Sequence, residues 1–183
     1  QPDIGADEFD LPATDAGVSA VLIPDIPFPI GNQLIQAILR NHGSDTLRSV
    51  TINWTVNGTP QAPINWTGTL LGSDTLRLDL NSVNFALNQA YELRAWTSSP
   101  NGGADPIAVN DTAGVANLYA GLTGTYTIGG VSPDFSDFSN AANVLNIGGV
   151  VGPVTFNVRD GVYEEQIWLR EFPGSDSLRQ VLF

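Results

Sequence analysis

Residues 50 to 56, Val-Thr-Ile-Asn-Trp-Thr-Val, alternate apolar and polar side chains at every step and run straight into Asn57-Gly58. A period of two puts Val50, Ile52, Trp54 and Val56 on one face and Thr51, Asn53 and Thr55 on the other, which a helix of period 3.6 cannot do. Asn-Gly is the favoured pair for a two-residue hairpin turn, because both central residues take positive φ. The stretch therefore specifies a half-buried strand and a tight turn, and its neighbours repeat the pattern. Val18 to Ile23 makes a first strand, ended by Pro24, Pro27 and Pro29, and Ile35, Ala37 and Leu39 mark a second. Ile64, Trp66 and Leu70, then Leu76, Leu78 and Leu80, then Tyr91, Leu93 and Ala95, then Val115 to Tyr119 follow at roughly ten-residue spacing. The expectation is an all-β, immunoglobulin-like β-sandwich over residues 17–120, with Trp54 between its sheets.

Composition supports a packed chain: 183 residues at 42% hydrophobic can build a core, and 19 Gly with 12 Pro supply many turns. The net charge of -12 arises from a shortage of bases, since all seven cationic residues are Arg. That excludes nucleic acid as a partner, which needs a basic face. It suits an extracellular or cell-surface location. No apolar run approaches the ~20 residues of a membrane span, and no leader pattern stands at Gln1. Without Cys there are no disulfides and no thiolate sites, and with His42 as the one imidazole no two-histidine metal site or conventional triad can form without a partner chain.

The phrases NHGSDTLRSVTINWTVNG, LLGSDTLRLDL and YELRAWTSSPNGGADPIAVNDT resemble the bacterial cell-adhesion-related (CARDB-like) immunoglobulin-type domain over about residues 17–120. That resemblance implies an Asn-x-Gly opening after the second strand and an Asn-rich loop ending in Asn-Asp before the last. In place of the family's Glu in that loop stands Asp105.

The segment YTIGG, then SPDFSDFSNAANVLNIGGVVGPVTFNVRDGVYEEQIWL, is similar to the opening of the right-handed parallel β-helix domains of pectin-lyase-like secreted bacterial proteins. The resemblance implies a capping helix near 133–147 and the first coils of a β-helix over 121–183. Ser132 and Pro133 would open the helix as N-cap and first residue. Phe135, Phe138, Ala142 and Leu145 share one helical face, and Val154, Phe156 and Val158 would point inward. QPDIGADEFD resembles the closing phrase of a preceding β-helix, so residues 1–16 are expected to be a linker or tail after a preceding domain, and the chain a piece of a longer one, its last strand left with an edge for self-association.

Chemistry-bearing residues are few. Asp105, Asn110 and Asp111 share a Gly/Pro-rich loop and offer oxygens to a weak Ca²⁺ site, no tighter than about millimolar, with an Asx-turn loop as the plainer role. No other cofactor is expected. Asp3, Asp7, Glu8 and Asp10 make a solvated acidic tail or a second cation attractor. Glu164 and Glu165, adjacent on an expected strand, point to opposite faces and cannot pair as acid and base. Asn53, Asn57, Asn65 and Asn110 sit in Asn-x-Thr sequons, read as chance in a turn-rich bacterial-looking chain. Trp96 and Tyr119 are sugar platforms if exposed and buried area otherwise. GSDTLR, GSDTLR and GSDSLR, at Gly43, Gly72 and Gly174, are one turn-then-strand device used three times.

These readings point to a non-catalytic extracellular structural or adhesion module, a spacer between β-helix domains of the same chain. A cell-surface polysaccharide or protein is the further partner class. The alternative is the accessory region of a carbohydrate-active β-helix enzyme acting on acidic polysaccharide.

Overall fold

The computed structural model describes residues 11–183. Residues 1–10, with Asp3, Asp7, Glu8 and Asp10, lie outside the described residues. Among the described residues the chain is all-β apart from one helix and a short 3-10 turn at Pro100–Gly102.

Strands β1 (Ala16–Leu22), β2 (Gly31–Asn41) and β6 (Thr75–Phe85) form one antiparallel sheet, in that order. The second sheet is built on β3 (Leu47–Val56), flanked on one edge by β4 (Thr59–Pro60) and β5 (Ile64–Leu70) and on the other by β7 (Tyr91–Ser98), then β8 (Thr112–Leu118). The alternation decides which face is covered. Ile35, Ala37 and Leu39 of β2 and Val50, Ile52 and Trp54 of β3 are all buried, and they share one core. Asn57 and Gly58 take φ 48° and 75°, the turn their pairing specifies. Trp54, 3% exposed, lies in that core with its indole Nε1 donating to Ala62 O at 3.0 Å. Phe28, Phe85 and Tyr91 close one end, their ring centroids 4.8 and 4.5 Å apart.

A second core begins at Leu122. Strands β9 (Leu122–Ile128), β10 (Val150–Val158) and β11 (Val181–Leu182) form a parallel sheet with β10 central. Helix α1 (Phe138–Gly148) connects β9 to β10 and buries Ala141, Val144 and Leu145 against them.

The helix starts later than Ser132-Pro133 suggested. Ser132 sits at φ 48°, left-handed rather than extended as an N-cap must be. Phe135 is buried but held as a strand-like bridge to Ile128, its N–H on Thr127 O and its C=O taking Gly129 N, each at 3.0 Å. The chain turns helical only after Asp137, whose carboxylate accepts Asn140 N at 2.7 Å. Val158 also departs from the expected pattern. Val154 and Phe156 are 1% exposed, but Val158, where the strand ends, is 40% exposed.

No strand forms over 159–180, so Glu164 and Glu165 are not on a ladder. Side chains of other elements take this segment's backbone instead: Asn146 of α1 donates to Trp168 O at 2.7 Å and accepts Arg170 N at 2.9 Å.

The two bodies meet in a short joint. Gly121 N donates to Phe28 O at 2.8 Å, and the side-chain amides of Asn88 and Asn140 bond each other reciprocally at 2.7 and 2.9 Å. Gly148 lies so close to the sandwich that a β-carbon there would stand 2.7 Å from Ala120 O and 2.9 Å from Tyr119 O.

Candidate cation site

Asp15 stands at the residue before β1 and is 2% exposed. Its position is fixed by its own backbone: its carbonyl accepts His42 N at 2.8 Å and Gly43 N at 2.9 Å. Those amides belong to the Asn41-His42-Gly43 turn, which buried Asn41 holds by donating to Asp45 O and Leu70 O and accepting Gly43 N. The Asn-x-Gly phrase thus acts as a clamp on the start of β1.

Across from it lies the loop between β7 and β8. Asp105 turns back on that loop, Oδ1 accepting Ile107 N and Oδ2 accepting Ala16 N, each at 3.0 Å. Asp111 C=O accepts Val18 N at 3.0 Å, and Thr97 Oγ1 donates to Ala16 O at 2.5 Å. A β-carbon at Gly17 would collide with Asn110 O, so only glycine lets the strand and the loop approach this closely.

These contacts bring one carboxylate oxygen from each of Asp15, Asp105 and Asp111 within 4.8 Å of one another. Asn110 Nδ2 donates to Asp15 Oδ2 at 3.0 Å. Asp15 Oδ1, Asn110 Oδ1 and Asp111 Oδ1 are shut off from solvent and meet no hydrogen-bond donor among the described residues. Buried acceptors are nearly always satisfied, and each one left alone costs about 1–3 kcal/mol. Among the described residues no Arg or His nitrogen comes within 4.0 Å of these carboxylates, the one ion pair being Arg179 with Asp176. Burial, then the charges of Asp105 and Asp15, push the Asp111 carboxyl up from 3.8 to about 6.

Asp105, Asn110 and Asp111 are therefore brought together. Asp105 and Ile107 make the local Asx-type bond, and the loop has in addition a face directed at β1. Asp15 is the residue that sequence reasoning missed, because it lies 90 positions from Asp105 and nothing local distinguishes it from other acids.

The remaining candidates fall elsewhere. Glu165 caps α1, accepting Phe138 N at 2.8 Å and Ser139 N at 2.7 Å, with the Ser139 hydroxyl at 2.5 Å. The Ser139 hydroxyl first, and then the two amides, hold its carboxyl below its ordinary range. Trp96 is half-buried on the outward face of β7, beside a shallow depression lined with Arg94, Glu92, Thr55 and Thr112. Tyr119 is half-buried at the joint, its hydroxyl accepting Asn143 Nδ2 at 3.3 Å.

No family model matches this chain, and no curated protein does. Among solved structures, it is similar to the CARDB domain of a Pyrococcus furiosus protein in complex with di-metal ions, at 18% identity and a TM-score of 0.47 over 63% of this chain and 96% of that one. A domain of a presumed cell-surface protein of Methanosarcina acetivorans gives 16% identity and 0.43 over 60% of this chain and 90% of that one. The bacterial hydrophobin BslA gives 14% and 0.36 over 61% and 99%. At such identities the likeness is one of chain path alone.

Proposed function

We infer that this chain is a non-catalytic extracellular or cell-surface module, in which an immunoglobulin-like sandwich carries the first rungs of a parallel β-solenoid and holds them at a fixed angle. The observation that carries this reading is an aromatic ladder. Tyr126 of β9 is in register with Phe156 of β10, their centroids 6.1 Å apart, and Phe183, just past β11, stacks on Phe156 at 5.0 Å and 20°. Equivalent side chains stack on successive parallel strands where each turn of chain lies on the one before, so that every repeat contacts its neighbours. The return from β10 to β11 supports the same reading, since it runs through extended chain rather than through the covering helix of a βαβ unit.

The joint gives the module its role as a spacer. Two bodies linked by a backbone hydrogen bond, a reciprocal amide pair and a glycine contact transmit orientation, whereas a flexible linker would not. The acidic, lysine-free composition supports a setting outside the cell. Neighbouring β-helix domains of the same protein are its structural partners, and a surface polysaccharide or protein is the outward one.

Hydrogen exchange tests the ladder. Amides of β9 and β10 are expected to be protected in the wild type, and Phe156→Ala to release those of β9, β10 and β11 while β2 and β3 stay protected. Fast exchange of β9 and β10 in the wild type would remove the parallel body from the account.

A further inference from the structure

We propose that Asp15, Asp105, Asn110 and Asp111 form a calcium site that staples the start of β1 to the β7–β8 loop. Asp15 is 2% exposed, its Oδ1 is shut off from solvent with no donor among the described residues, and one of its carboxylate oxygens lies within 4.8 Å of one from each of Asp105 and Asp111. Two more oxygens in the same state, Asn110 Oδ1 and Asp111 Oδ1, come from a different stretch of chain. Three orphan acceptors, one from the start of β1 and two from the loop, are what a bound cation would satisfy.

The donor chemistry selects the ion. Every available ligand is oxygen, three carboxylates and an amide, with neither imidazole nor sulfur, so the site suits a hard cation. Oxygens on one Ca²⁺ lie 2.3–2.6 Å from it and so at most about 5 Å from each other. The three carboxylates meet that condition, lying within 4.8 Å of one another. Asp105 retains free lone pairs, because each of its oxygens accepts a single N–H. Water completes a shell of six to eight, and the flexible geometry that Ca²⁺ accepts fits a site shared by a strand start and a loop better than the strict octahedron of Mg²⁺.

The site closes one end of the sandwich. Asp15 is already tied through its carbonyl to the turn after β2, so an ion on its side chain joins three segments far apart in sequence: residues 15–18, the turn at 41–43 and the loop at 105–111. With three carboxylates in place of the two that the loop alone supplies, affinity should rise above the millimolar expectation, to a Kd of roughly 10⁻⁴ M.

The test is calorimetric titration of metal-free chain with CaCl₂ and with MgCl₂, together with melting curves in EDTA and in 10 mM Ca²⁺. One Ca²⁺ per chain, at least tenfold preference over Mg²⁺ and a Tm rise of several degrees are expected. Asp15→Asn and Asp111→Asn should each weaken binding at least tenfold and abolish the Tm rise, yet fold in EDTA at least as well as the wild type, since each relieves like-charge crowding. Asp160→Asn, an exposed acid in the other body, should bind as the wild type does. No heat and no Tm change in the wild type at 10 mM Ca²⁺, equal affinity for Mg²⁺, or binding that survives both Asp15→Asn and Asp111→Asn would overturn the assignment. Should one variant fail to fold, the other decides.

Discussion

Gly148→Ala separates two accounts of the helix end by the sign of its effect. Gly148 is the last residue of α1. If it were an ordinary helical glycine, alanine would stabilise the chain by up to about 1 kcal/mol through helix propensity. The structure argues otherwise. The added β-carbon would meet Ala120 O at 2.7 Å, Tyr119 O at 2.9 Å and Ala120 C at 3.1 Å. All three are backbone atoms of the segment joining the two bodies, so no side-chain rotation relieves the contact. Overpacking of this kind costs about 1–3 kcal/mol. Offset by the propensity gain, which is smaller at a helix terminus, the net loss should be about 1–2 kcal/mol. At roughly 2–4 °C per kcal/mol for a chain of this size, Tm should fall by about 2–8 °C in a thermal melt followed by circular dichroism. A Tm unchanged or raised would mean that α1 does not touch the segment at Tyr119 and Ala120 as described, and that the joint lacks its closest contact.

Trp54→Ala should cost about 3–5 kcal/mol by chemical denaturation, since it empties a core position and removes the bond to Ala62 O; an unchanged midpoint would contradict the register of β3. Asp111 binds its proton more readily folded, at about 6, than unfolded, near 3.8. Its contribution is therefore fully present below pH 4 and lost as pH rises through 6. In EDTA, wild type minus Asp111→Asn stability should decline across that window, and a flat difference would refute the shift. The β11 edge exposes Leu182 at 58% and Phe183 at 52%. Sedimentation should show concentration-dependent self-association that Leu182→Lys weakens, and a monomer at all concentrations would show the edge to be inert.

The central sandwich strands were legible because they carry a period of two, from Ile35, Ala37 and Leu39 through Val50, Ile52 and Trp54 to Tyr91, Leu93 and Ala95, and because Asn57-Gly58 names its own turn. The start of α1 was not. Ser132-Pro133 has the letters of a helix start, but Asp134 side-chain bonds to Thr127 at 2.8 Å and the Phe135 bridge hold the chain extended for a few more residues. Local propensity lost there to a contact that closes only in the fold. The extended segment after β10 misled for the converse reason. Its alternation resembles a strand, yet its backbone is met by Asn146 and its Glu165 by the helix end, contacts with no local signature. At the acidic cluster the loop half was visible, since Asp105, Asn110 and Asp111 lie close in sequence. Asp15 was not, because only the pairing of β1 beside the loop brings it there.

The central claim, that an antiparallel sandwich and a parallel body form one rigid unit, is tested most directly by a distance between them. The chain has no cysteine, so cysteines placed at the exposed positions Thr67 on β5 and Asn157 on β10 can carry spin labels without background. Pulsed electron spin resonance should give a single narrow distance distribution, unchanged by dilution. A broad or two-peaked distribution would show two bodies on a flexible tether and contradict the account.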